Sequence, residues 1–218
     1  MASAVLAIDA SYDPATMIAT GYRERFVLPL LNQGPFSLRE LAGPNANPQS
    51  VAAMAGNPAI VYVTGVCHGT PDTFTGDHEV PIFVAGQLNP AFVRNRTFHF
   101  LACNTATVLG PNMTDPNFGG AAAFFGYSGL FTWPAAADQY AAMFFDCDAE
   151  IDRSLVAGQT AGQAFANTIA KYNNQIAGLV QLGDPLSLRL AAVMTSNLKL
   201  LRGPNGAGPY GDPNATIT

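Results

Sequence analysis

Apolar positions in this chain fall into short blocks rich in β-branched and aromatic residues, separated by longer stretches in which they recur at helical spacing. Residues 3–10 form the first block and predict a buried strand. Residues 15–31 predict a helix, on which Met17, Ile18, Tyr22, Phe26, Leu28 and Leu31 make an apolar stripe. A Pro-, Asn- and Gly-rich loop at 43–48 and a short helical piece at 51–55 lead to a second strand block at 59–66. Residues 73–76 and 80–84 pattern as a small hairpin that walls one side of a cleft, 90–95 as a short helix, and 97–101 as another strand. Residues 135–151 and 160–172 are the clearest helices, and 187–193 reads as a last strand. Such alternation predicts one α/β domain over residues 1–202, its mostly parallel sheet covered on both faces. The Gly-, Pro- and Asn-rich residues 203–218 are expected to form a poorly ordered or wrapping tail.

Two of the strand blocks run into reactive side chains. Residues 59–69 read Ala-Ile-Val-Tyr-Val-Thr-Gly-Val-Cys-His-Gly, and residues 97–104 read Thr-Phe-His-Phe-Leu-Ala-Cys-Asn. Ligands of open α/β sheets sit outside the carboxyl ends of the strands, so His68 and Cys103 stand where chemistry is expected. Their separation of 35 residues leaves chain for a loop and a crossover helix returning to an adjacent parallel strand. A thiolate is a competent nucleophile, and a nearby imidazole lowers a thiol pKa or delivers a proton to a leaving amine. The N–H groups of Gly69 and Cys103 are the expected donors to an oxyanion, with glycine at 69 allowing close approach.

The other candidates have weaker arguments. Cys67 adjoins His68, but side chains alternate along a strand, so it is expected in the core. Cys147 lies on a predicted helix between Asp146 and Asp148 and reads as structural. His99 is mid-strand, too far from the strand end to reach it. Asp77, His78 and Glu79 are consecutive and cannot all face one ion from an extended chain, so no metal site is expected.

Composition narrows the partners. With 218 residues, 49% hydrophobic and 11% charged, the surface must be covered largely by Asn, Gln, Ser, Thr, Gly and Pro, which suits packing against something else. Ten basic and fifteen acidic residues give a net charge of −5, which provides no electrostatic footprint for nucleic acid. Three cysteines without Cys-x-x-Cys spacing suit a reducing compartment, and residues 4–8 are too short for a signal-peptide core, so a cytoplasmic location is expected. The uncharged stretch 116–137 contains four glycines and is bracketed by Pro116 and Pro134, which predicts a buried strand with flanking loops rather than a membrane span.

A hydrophobic strand ending in His-Gly followed by one ending in Ala-Cys resembles the catalytic signature of the caspase-like cysteine peptidases of clan CD, and the chain is most similar to the gingipain family within it. Residues 119–129 resemble that family's next strand. Trp133-Pro134 with Asp138, Gln139 and Met143 resembles the aromatic loop and helix after it, and Gly183-Asp184-Pro185 a segment near its C-terminal end. The run Ala-Cys-Asn-Thr-Ala at 102–106 is equally similar to CHAT domains. The likeness covers about residues 60–190 and implies a three-layer α/β/α caspase-like fold with a mostly parallel central sheet. It also implies a Cys/His dyad without cofactor, the amides of Gly69 and Cys103 as oxyanion hole, and Trp133 as a wall of the primary substrate pocket.

The expected activity is a cysteine endopeptidase acting on peptide or protein substrates through an acyl-enzyme. Cleavage after Arg or Lys needs a pocket acid, for which Asp9 and Asp13 are candidates by position alone. Leu101 stands where clostripain-like enzymes have Asp, so both a basic-selective and an apolar pocket remain open. Secreted gingipain-like enzymes carry signal and propeptide segments that are not seen here; an excised domain, or a relative controlled by processing, a regulatory partner or additional domains, fits that departure. The rivals are a catalytically silent interaction module, a peptide ligase using the same dyad, and a nucleotide-binding domain, the last lacking any Gly-rich phosphate motif.

Overall fold

The computed structural model describes residues 3–33, 35–54, 56–134, 138–206 and 208–217, without the side chains of Asp138 and Gln139. The chain begins with strand β1 (Ser3–Asp9), helix α1 (Pro14–Phe26), a helical turn α2 (Leu28–Leu31), β2 (Phe36–Ala42), α3 (Pro48–Met54) and β3 (Ile60–Val66). A two-stranded antiparallel hairpin follows, β4 (Thr73–Thr75) with β5 (Pro81–Val84), then α4 (Pro90–Val93), β6 (Thr97–Leu101), α5 (Leu109–Thr114) and β7 (Ala123–Tyr127). The rest is helical, α6 (Asp138–Asp148), α7 (Glu150–Val156), α8 (Ala161–Leu182) and α9 (Pro185–Leu200), closed by β8 (Leu201–Arg202).

The main sheet has the order β2-β1-β3-β6-β7-β8, all parallel except β8 against β7. One face packs against α1, α2 and α6 to α9 through Val5, Tyr62, Phe125, Phe144 and Leu155. The other packs against α3, α4, α5 and the hairpin through Leu6, Val63, Phe74, Phe98 and Phe124. The result is a three-layer α/β/α sandwich with a mostly parallel sheet. No helix among the described residues is long and apolar enough to cross a membrane.

Four sequence expectations change. The predicted last strand is part of α9: Asp184 caps the N–H groups of Leu186 and Ser187, Pro185 occupies the first turn, and these start signals outweigh a short alternating pattern. Strand β2, with mixed polarity at the sheet edge, has no strong pattern and was not expected. The helix predicted at 15–31 breaks at Val27; of its apolar stripe Leu28 and Leu31 are buried beyond the break and Tyr22 packs partly against the core, but the buried face of α1 itself is mostly polar. Thr16, Ala19, Thr20 and Arg23 face the sheet, while Met17 is 57% and Phe26 43% exposed. Polar bonds into the core hold that face: Thr20 Oγ1 donates to Ala10 O at 2.7 Å and Arg23 Nε to Asp9 Oδ1 at 2.8 Å. Finally α8 extends to Leu182, where Gly183 at φ +71° ends it. The expected helical residues Ala55 and 135–137 lie outside the described residues.

Arg23 belongs to a larger buried network. Asp152 accepts from Tyr62 Oη at 2.8 Å, Thr64 Oγ1 at 2.9 Å and His99 Nδ1 at 3.1 Å, and Arg23 Nη1 is 3.8 Å away. Asp148 receives His99 Nε2 at 3.3 Å and Tyr127 Oη at 2.8 Å. Burial alone favours a neutral His99, but Asp148 and Asp152 outweigh it and push its pKa up to about 9, so both ring nitrogens are donors. Residues 208–217 run back over β7: Phe124 N donates to Tyr210 O at 3.0 Å, Asp212 N to Ala122 O at 2.8 Å, and Ile217 is buried.

Candidate functional site

Strand register puts the two reactive residues level with each other. In the β3–β6 pair Val66 lies opposite Leu101, and His68 and Cys103 each lie two residues further on. With a side-chain period of two, they continue the face of Val66 and Leu101, which belong to the core beneath α1 and α6. Cys67 and Ala102, one residue back, belong to the opposite core. Cys67 is buried, its Sγ 3.1 Å from Gly76 O, and burial pushes its thiol up to about 11. Cys147 is also buried, with its thiol pushed up to about 12.

Gly69 lets the strand ends approach. A Cβ at that position meets Cys103 O and Thr105 Cγ2 at 2.6 Å each, so the close neighbour is the loop that begins at Cys103. After Cys103 the chain turns sharply, with Asn104 at φ +63° and its N–H donating to Gly129 O at 2.9 Å. Asparagine tolerates this left-handed conformation better than most residues. Beyond the strands, the N–H groups of Gly69 and Cys103 donate to no other group among the described residues.

Helix α1 supplies the third polar member. Asp13 is its N-cap: Oδ1 accepts from Ala15 N at 2.8 Å and Thr16 N at 3.0 Å, while Oδ2 lies 2.6 Å from His68 Nε2. Against the opposing effect of burial, the bonds from Thr16, His68 and Ala15 hold its pKa below the usual carboxylate range. The ionised carboxylate accepts, so Nε2 carries the proton and Nδ1 is the free ring nitrogen. The Tyr12 ring meets the imidazole edge-on at 5.9 Å.

His68 and Cys103 line one cleft of about 120 Å³, together with Ala15, Thr16 and Ala19 of α1, Phe131 and Trp133 of the loop after β7, and Phe145 of α6. The half-buried Trp133 packs 5.9 Å from the Phe131 ring and 5.1 Å from Phe145. Its loop is clamped from α9: Thr132 N donates to Asn197 Oδ1 at 3.1 Å, and Asn197 Nδ2 to Thr132 O at 2.7 Å. The Cys103 Sγ lies 3.9 Å from Phe131 O, and burial raises its thiol pKa.

The pocket acids expected from sequence are placed otherwise. Asp9 is fully buried and paired with Arg23, so it is withdrawn from the cleft. Asp13 is committed to the α1 cap and to His68 rather than standing free for a substrate cation. His78 is exposed, its ring tilted at 35° to that of Tyr12 with 5.1 Å between centres, and no group of three metal-ligating side chains occurs among the described residues. Sequence reasoning missed Asp13 as the imidazole's partner, although Asp-Pro before a helix is a readable cap. It also missed Asn197, whose only signal is a polar residue on the buried side of α9.

Searches with protein-family models and against curated proteins give no match for the chain. Among solved structures it is similar to the complex of Porphyromonas gingivalis RgpB pro- and mature domains, with a TM-score of 0.57 and 13% identity over 99% of this chain. It spans 48% of that chain's length. The fold is caspase-like. At this identity the likeness concerns the fold alone, in agreement with the layered sheet described above.

Proposed function

We propose that the protein is a cysteine peptidase in which Cys103 is the nucleophile, His68 the acid and base, and Asp13 the residue that positions the imidazole. The observation that carries this reading is the shared cleft of His68 and Cys103 at adjacent parallel strand ends, with the imidazole held through Nε2 by the Asp13 carboxylate. The half-buried thiol, its pKa raised by desolvation, rests protonated, so attack begins with transfer of its proton to His68 Nδ1 as Sγ adds to the substrate carbonyl carbon. The N–H groups of Gly69 and Cys103 donate to the resulting oxyanion. Collapse breaks the C–N bond, and the imidazolium returns its proton to the departing amine. Water, deprotonated by the same nitrogen, then hydrolyses the thioester and frees Cys103.

Turnover of a fluorogenic peptide library by purified variants tests the assignment. Cys103→Ala abolishes turnover, and His68→Ala lowers it by about 10²-fold or more. Asp13→Asn leaves a smaller residual loss with a shifted pH profile. Loss of activity in Cys67→Ala with retention in Cys103→Ala overturns the reading.

A further inference from the structure

We infer that the cleft receives an uncharged, apolar side chain immediately before the scissile bond, so that the protein cleaves after aliphatic residues; this rests on the peptidase reading above. The walls are the methyl groups of Ala19 and Thr16, the side chain of Leu101 and the rings of Phe131, Trp133 and Phe145. A basic side chain here needs a carboxylate. Asp9 is sealed beneath the sheet end with Arg23, and both Asp13 oxygens are engaged, one by the α1 amides and one by His68. An acidic side chain needs a cation, yet Arg23 is buried on Asp9, and Arg153 is paired with Asp146 and Glu150.

The hydroxyl in the lining is also occupied. Thr16 Oγ1 accepts from Tyr12 N and Asp13 N at 3.2 Å each and donates to Asp13 O at 3.1 Å. Apart from His68 and Cys103, which the peptidase reading assigns to the reaction, no described side chain in the walls offers a free partner to a charged or strongly polar group, and desolvating such a group without a partner is costly. Size points the same way. An apolar cavity of about 150 Å³ holds a benzene molecule, so a cleft of about 120 Å³ suits the branched or unbranched aliphatic chain of Leu or Met.

Peptidyl acyloxymethyl ketones that differ only in the residue before the warhead test this on the full chain, read as the rate of Cys103 modification by peptide mapping. The Leu probe should react at least about 10²-fold faster than the Arg and Asp probes, the scale set by an unpaired buried charge. Ala15→Asp places a carboxylate at the cleft mouth, in the first turn of α1 where a negative charge suits the helix. In that variant the Arg-to-Leu ratio should rise at least about tenfold, a modest gain for a new charge pair. Fastest reaction of wild type with the Arg or Asp probe overturns the apolar pocket while leaving Cys103 as nucleophile, and an unchanged ratio in Ala15→Asp removes this cleft as the selecting pocket. Failure of every probe to modify Cys103 rejects the peptidase reading itself, and this inference with it.

Discussion

At position 69 the side chain is missing because there is no room for one. Gly69→Ala drives a Cβ into the Cys103 carbonyl and the Thr105 methyl, forcing the two strand ends apart. We expect a stability loss of about 1–3 kcal/mol from overpacking, measured as a shift in the urea midpoint. Alkylation of Cys103 should change as well, since its loop must move. An unchanged midpoint with normal turnover contradicts the close approach. The same residue illustrates what the sequence could reveal. His-Gly and Ala-Cys at the ends of apolar blocks were legible because strand period and strand end are local properties. That Gly69 faces the loop beginning at Cys103, and that Asp13 reaches across 55 residues to His68, are tertiary facts without a local pattern.

At the level of elements, the hardest part to read was which face each helix buries. A stripe of large apolar residues predicted the wrong side of α1, because Thr20 and Arg23 carry polar bonds into the core that no hydrophobicity pattern registers. Residues 187–193 pattern as a strand although the Asp-Pro start makes them part of α9, and a strand there gives no hint of the hold of Asn197 on the Trp133 loop. Asn197→Leu removes both bonds to Thr132, an exposed residue whose backbone groups turn to water, at a cost of about 0.5–1.5 kcal/mol per bond. If the clamp shapes the cleft, this variant should also raise KM for apolar substrates and blur their ranking. Iodoacetamide should still alkylate Cys103 at an unchanged rate. Retention of the ranking shows that the loop holds its place without α9.

Across the whole molecule, the buried network makes stability depend on pH. His99 is protonated when folded, with a pKa of about 9 against about 6.5 when unfolded, so its stabilisation is complete below pH 6.5 and is lost as pH rises through about 9. The amount is on the order of 3 kcal/mol for a shift of that size. The strongly depressed Asp152 reports the same attraction from the other partner and adds nothing separate. Urea midpoints measured from about pH 6 to about pH 10 should fall on the alkaline side. A curve that stays flat there denies the charged histidine.

The same network orders events during synthesis. His99 leaves the ribosome well before Asp148 and Asp152, its two partners, and Asp152 also lies beside Arg23, whose nearer partner Asp9 is made first. At roughly 5–20 residues per second, a chain must wait several seconds with a buried-type histidine and arginine still in water. Charges cannot enter the interior ahead of their partners. A chain stopped before residue 148 should therefore remain without amide-exchange protection in β1, β3 and β6, although all three strands have been made. Folding waits for α7 to emerge.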